Sequence, residues 1–166
     1  MKKLVIIFSI PLILCACGRI TFNMSGASVG TAKTCQVNYF ENRAEIVNPR
    51  LSYLVTEALK DKIQSNTSLS LVNSNADVLF EGEITGYNVQ PQAVQASGLP
   101  AKDRLTVTVK VKFTNEVKPE YGYEKSFSRF SEFSSGTSFA SVENDLVDEI
   151  MEQLMDDIFN AAFSSW

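Results

Sequence analysis

Glu81 and Glu83 alternate along a predicted strand, so both carboxylates point to one face about 7 Å apart by strand rise. Paired carboxylates at such a spacing can hydrolyse a glycosidic bond if one stays protonated while the other ionises. Nothing beside them in the sequence supplies the burial that would split their pKa values, so a solvated pair is the favoured reading. Arg104, Lys110 and Lys112 line one face of a second strand, and Arg129 is placed opposite them on the return strand. Strand-mounted cations suit phosphate groups. They equally suit plain exposure to water, and both readings stand. Glu143, Asp145, Asp148, Glu149, Glu152, Asp156 and Asp157 crowd one helix without a base among them. A cation patch is conceivable, but a solvated face is favoured, and no metal site is expected. The chain has no histidine, which removes Ser-His-Asp and Cys-His triads and His-ligated zinc. Three cysteines are too few for a zinc ribbon or a disulfide scaffold. A formal charge of −4 argues against non-specific nucleic-acid binding. Asn66-Thr67-Ser68 matches a glycosylation sequon and carries little weight. No enzymatic reaction is left well supported.

The elements that must position these residues follow from periodicity. With 45% hydrophobic and 20% charged residues over 166 positions, one folded domain is expected. Thr34–Phe40 alternates Cys35, Val37 and Tyr39 against Gln36 and Asn38, a half-buried strand. Cys35 is there a small core hydrophobe. Glu41-Asn42-Arg43 begins a loop. Asn48-Pro49 starts a helix, with Asn48 as cap and Pro49 in the first helical position. Leu51, Leu54, Val55, Ala58, Leu59 and Ile63 carry its apolar stripe. Leu69–Val72 is a short strand, Ser74-Asn75 a turn, and Asp77–Val89 a longer strand. Gly82 and Gly86 inside it predict a bulge or a close backbone contact. Pro91–Asp103 is a loop.

The strongest strand is Arg104–Asn115. Leu105, Val107, Val109, Val111 and Phe113 point one way; Thr106, Thr108, Lys110, Lys112 and Thr114 point the other. Tyr123–Phe133 returns beside it, and Phe127, Phe130 and Phe133 break alternation, which predicts a bulge or an early end to pairing. Ser141–Phe163 is a second amphipathic helix, in which Asp156 and Asp157 sit badly with the dipole. Trp166 closes the chain as an apolar lid. The order β-α-β-β-β-β-α predicts an α+β two-layer sandwich: a mixed or mostly antiparallel sheet with both helices on one face.

The N-terminus addresses the compartment. Lys2 and Lys3 precede an apolar run, Leu4–Leu14, too short for a permanent span but suited to a signal peptide. Leu14-Cys15-Ala16-Cys17 resembles the lipobox of bacterial lipoproteins, with Leu14 at −3, Ala16 at −1 and Cys17 as the lipidated residue. Cys15 fits worse, because Leu14 would then fill the small −1 position. An ordinary cleaved signal with incidental cysteines is the alternative. The lipobox implies residues 1–16 as signal peptide, a covalent lipid on Cys17, a tether over 17–33 and a single domain over 34–166. In the tether, Ile20-Thr21-Phe22 has the composition of a brief strand. Gly18-Arg19 lacks the Asp of inner-membrane retention, which by resemblance implies the outer membrane, on its periplasmic side.

Over nearly the whole mature chain the sequence resembles LptE, the lipopolysaccharide-assembly lipoprotein family, in its Bacteroidota form. The resemblance rests on Val37-Asn38-Tyr39-Phe40, on Asn48-Pro49 with Thr56-Glu57-Ala58-Leu59-Lys60-Asp61-Lys62, and on Phe80-Glu81-Gly82-Glu83-Ile84-Thr85-Gly86-Tyr87. It continues through Arg104-Leu105-Thr106-Val107, Val111-Lys112-Phe113-Thr114-Asn115, Phe127-Ser128-Arg129 and Asp157-Ile158-Phe159-Asn160. It implies a two-layer sandwich seated as a plug in the LptD outer-membrane β-barrel, the pair inserting lipopolysaccharide into the outer leaflet. It implies no catalysis and no cofactor beyond the lipid, and as partners the barrel, lipopolysaccharide and the membrane. Gly18–Lys33 and Pro91–Asp103 diverge most, so no contacts transfer there. A different class of function is a periplasmic ligand-binding lipoprotein, or an accessory of another outer-membrane transport or secretion complex.

Overall fold

A computed structural model describes residues 29–92 and 101–164. Cys17, the signal peptide, most of the tether, most of the Pro91–Asp103 loop and Trp166 lie outside them. Six strands and two helices follow in the order β1 (Thr34–Val37), β2 (Glu41–Asn42), α1 (Leu51–Asn66), β3 (Ser70–Leu71), β4 (Val78–Pro91), β5 (Lys102–Asn115), β6 (Tyr123–Ser134) and α2 (Phe139–Phe163). One mixed sheet has the order β3-β1-β4-β5-β6, with β2 also pairing β4. The first three of these neighbours run parallel, and β4, β5 and β6 form an antiparallel meander. Both helices cover one face, as expected of an α+β sandwich.

The alternation in β5 is the organising fact. Leu105, Val107, Val109 and Val111 have no exposed surface, whereas Thr106, Thr108 and Lys110 on the other face are half-exposed. Leu51, Val55, Leu59 and Ile63 of α1, and Ile150, Leu154 and Ile158 of α2, are likewise fully buried. The i, i+3, i+4 stripes therefore close on the apolar face of the sheet. Phe80, Phe113 and Phe163 meet between the layers with ring centroids 4.8–6.0 Å apart. Cys35 is fully buried, and burial pushes its thiol up to about 12. It is a core side chain and not an accessible nucleophile.

Both glycines of β4 behave as their position predicts. The β4–β5 register slips between Ile84 and Gly86, leaving Thr85 as the extra residue of a bulge. At Gly82 the buried ring of Phe40 takes the space a side chain would need.

Three expectations change. Glu41-Asn42 is a short strand on β4, and not the start of a loop, because Phe40 dives into the core and returns the chain to the sheet. The order of strands and α-helices in the described residues is thus β-β-α-β-β-β-β-α. Helix α1 begins at Leu51, two residues after Pro49. Asn48 still tightens the approach, since its Oδ1 accepts the Arg50 N–H at 2.9 Å. Strand β6 pairs with β5 without a bulge from Tyr123 to Ser134. Phe127 and Phe133 face the core, while Phe130 simply faces out, 47% exposed.

The helices run parallel to each other. Asn48 donates to Glu143 at 2.8 Å and Arg50 donates to Asn144 at 2.5 Å near their starts; Lys62 pairs with Asp156 one helix length later. At the opposite end from these starts, Asp77 fastens the chain where it joins the sheet. Its Oδ2 accepts the Lys33 N–H at 2.7 Å and the Thr34 N–H and Oγ1–H at 3.0 Å. These bonds to the anion, led by the Lys33 amide, hold its carboxyl below the ordinary range.

Candidate functional site

The uncovered face of the meander is built from the outward halves of β4, β5 and β6. Strand register stacks its residues in rows. Glu81, Lys112 and Glu124 form one row, Glu83, Lys110 and Ser126 the next, then Gly86, Thr108 and Ser128, then Asn88, Thr106 and Phe130, then Gln90, Arg104 and Glu132. The middle is a hydroxyl band, with Thr108 and Ser128 oxygens 3.0 Å apart. Charges lie at both ends.

Every predicted cation has a carboxylate. Lys110 pairs with Glu124 at 2.5 Å and Lys112 with Glu81 at 3.4 Å. Arg104 pairs with Glu132 at 2.5 Å and stacks on Phe130, 3.8 Å from the ring centre. The hydrogen bond to Lys110 lowers the pKa of Glu124 and raises that of Lys110. Arg104, then Lys102, lowers that of Glu132. Lys110 and Lys112 share a shallow depression with Tyr39, Arg43, Glu81 and Glu83. Arg104 lies further along the same face. Arg129 does not join them: it pairs with Val107 in register, which puts it on the helix side, where it grips Asp157 at 2.5 and 2.6 Å. The expectation that Arg129 sits opposite the lysines therefore fails. Parity along an unbulged β6 decides its side.

Glu83 likewise has a cation, Arg43, at 3.2 Å. With Glu81 held by Lys112, the two carboxylates share the same kind of surroundings, which is not the asymmetry that acid–base hydrolysis requires. Among the described residues no group of three or more His, Cys, Asp or Glu is placed to hold a metal ion. The acidic helix is partly spent inside the fold: Glu149 accepts from Ser131 at 2.6 Å, and Asp156 and Asp157 hold Lys62 and Arg129. Those last two ion pairs offset the unfavourable helix-end position of both aspartates.

The face can therefore recognise a polar surface by exchanging ion pairs and hydroxyl hydrogen bonds. A phosphate approaching either lysine would share its ammonium with Glu124 or Glu81. Sequence reasoning missed Arg43, because the pairing of β2 with β4 has no local signature. Glu124 was recoverable, since the length of the turn after Asn115 sets it opposite Lys112.

Reversing both lysines, Lys110→Glu with Lys112→Glu, should lower the melting temperature by only a few degrees, because both pairs are open to solvent. The loss should shrink as salt is raised, since it comes from new repulsion against Glu124, Glu81 and Glu83. Thermal melts at two ionic strengths check this. A collapse of the fold would mean that these pairs are structural.

The comparisons give the fold a lineage. A solved structure of a hypothetical protein from Chlamydia trachomatis has a TM-score of 0.57 at 7% identity, covering 81% of this chain and 99% of that one. A putative neuraminyllactose-binding hemagglutinin homolog from Helicobacter pylori has a TM-score of 0.51 at 10% identity, covering 81% and 84%. Uncharacterized lipoprotein B from Nitrosomonas europaea stands at 0.49 and 15% identity, covering 81% and 85%. At these identities the first two support the shared sandwich alone. No curated protein matches the chain. Residues 32–162 match the family described as LptE, lipopolysaccharide-assembly. That match takes in all of the described sheet and nearly all of α2, so the chain belongs to the LptE lipopolysaccharide-assembly family.

Proposed function

We propose that this protein is a lipoprotein, anchored through Cys17 to the periplasmic side of the outer membrane, that plugs or supports an LptD-like barrel and assists insertion of lipopolysaccharide into the outer leaflet. The observation that carries the reading, given the family, is the two-sided sheet. Its helix side is sealed by the core, and its open side is a hydroxyl-rich face whose charges are matched within the fold. Such a face can meet a water-lined barrel interior, which is polar, without stranding a charge. The work is binding and support without covalent chemistry. Lys110 and Lys112 meet polar groups of the barrel or phosphates of lipopolysaccharide from this side, and Arg104 reinforces them further along.

No helix among the described residues is long and apolar enough to cross a membrane. In this reading the lipid on Cys17 carries the anchoring. Affinity purification from outer membranes in mild detergent tests the reading. A large barrel protein should come down in stoichiometric amount; its absence would sink the barrel role in favour of an accessory lipoprotein of another complex.

Cys17→Ala should abolish lipidation and leave an unprocessed precursor at the inner membrane. Metabolic labelling with palmitate measures this, and label retained by the variant refutes the assignment of Cys17.

A further inference from the structure

The outer side of the helical layer carries a concave surface that neither the core nor the open sheet face explains. Because α1 and α2 run parallel, their facing ridges leave a groove between them. Half-buried Leu54 and Ala58 of α1 make its apolar surface, and the core side chains of Met151 and Met155 of α2, 5% and 3% exposed, lie beneath it. Asp61 stands on one rim, and Asp148 and Glu152 stand on the other. All three carboxylates are exposed, and among the described residues none of the three has a hydrogen-bond or ion-pair partner. Lys62, the one base of the groove, is already engaged by Asp156. Asp148 and Glu152 are also spaced i, i+4, where like charges destabilise a helix. The fold thus tolerates an electrostatic cost beside an apolar floor when neutral residues would have been free of it.

We propose that this groove docks a basic amphipathic helix of a partner protein. Its apolar stripe would lie on Leu54 and Ala58 over the edges of Met151 and Met155, and its lysines or arginines would meet Asp61, Asp148 and Glu152. Methionine floors adapt to irregular helical ridges, which suits helix-in-groove recognition. Charge selects the occupant. A second copy would present the same acidic rims, and an anionic lipid surface would be repelled by them. The groove lies on the opposite side of the sheet from the polar face, and it is reached by a partner helix where the protein supports the barrel from outside its lumen.

The test uses the full mature chain in detergent micelles and fluorescence anisotropy of labelled synthetic peptides. The first is an 18-residue Leu/Lys peptide with its leucines at i, i+3, i+4 spacing. The second replaces each lysine with glutamate, and the third keeps the lysines but scatters serine for leucine. The first should bind, the second should not, and the third should bind at least about fivefold more weakly, the loss of roughly one kcal/mol of apolar contact. Asp148→Asn with Glu152→Gln should weaken the first peptide by about fivefold or more while leaving the fold as stable or more so. Asp145→Asn, exposed on the same helix but outside the groove, should change nothing. Equal binding of the first and third peptides would overturn the proposal, because it would show mere attraction of opposite charges. Undiminished binding by the Asp148/Glu152 variant, or an equal loss in Asp145→Asn, would overturn it as well.

Discussion

Val109→Asp should leave the domain unfolded or nearly so, the largest effect expected of any single change in the sheet. Val109 has no exposed surface and sits at the centre of the meander, between Ile84 of β4 and Phe127 of β6. No cation lies on that apolar row, so an aspartate there must either stay charged without a partner or take up a proton. Either course costs several kcal/mol. A loss of that size is a large part of the roughly 5–15 kcal/mol that holds a typical domain together. Thr108→Asp, one residue away, places the same charge on the open face, where it loses only the hydroxyl contact with Ser128. Thermal melts of the two variants decide the matter. Equal losses would mean that the sheet does not have one dry and one wet face.

Gly82→Ala should be the second most damaging change, although it adds a single methyl group. A Cβ built on Gly82 falls 2.3 Å from the Lys110 carbonyl oxygen and 2.4 Å from Cε1 of Phe40. The carbonyl belongs to the β4–β5 ladder and cannot retreat without breaking it. The ring is fully buried, and its backbone N–H is held by Thr56 Oγ1 at 3.1 Å. Overpacking against such rigid neighbours costs about 3 kcal/mol. Gly86→Ala is the internal comparison, because there the nearest atoms, Cβ and Oγ1 of Thr108, are 3.2 Å away, and a shift of a few tenths of an ångström relieves the contact. Urea denaturation should show a much lower midpoint for Gly82→Ala than for Gly86→Ala. Similar midpoints would refute the role given to the Phe40 ring. Phe40→Leu in the Gly82→Ala background should restore part of the loss, since only the ring clash is relieved.

These two sites also show how far residue patterns carry. Period-two alternation in Leu105–Phe113 and period-3.6 stripes in both helices expose the two-layer plan directly, because burial of one face is a local property of each element. Parallel pairing of β1 with β3 and β4 is not local, and nothing in Thr34–Val37 announces its neighbours. The open face was legible as a face and not as a set of contacts. Lys110 and Lys112 are where alternation puts them, but their carboxylates come from β4 and β6. Arg129 went astray because three phenylalanines at spacing three obscure parity, and only an uninterrupted register with β5 resolves it. The helix-end aspartates looked like a fault in α2 for a similar reason: their compensation comes from Lys62 and Arg129 on other elements.

The clasp of Asp77 on Lys33 and Thr34 has a consequence for reach. It fixes the point where the chain enters the sheet at the Val78 end of β4, while Pro91 ends the same strand at the other pole. Thirteen residue steps at about 3.3 Å make that strand a ruler of roughly 40 Å. The Pro91 pole therefore lies more than one hydrocarbon thickness, about 30 Å, from the point where the chain enters the sheet, and lengthening or shortening β4 would reset that separation.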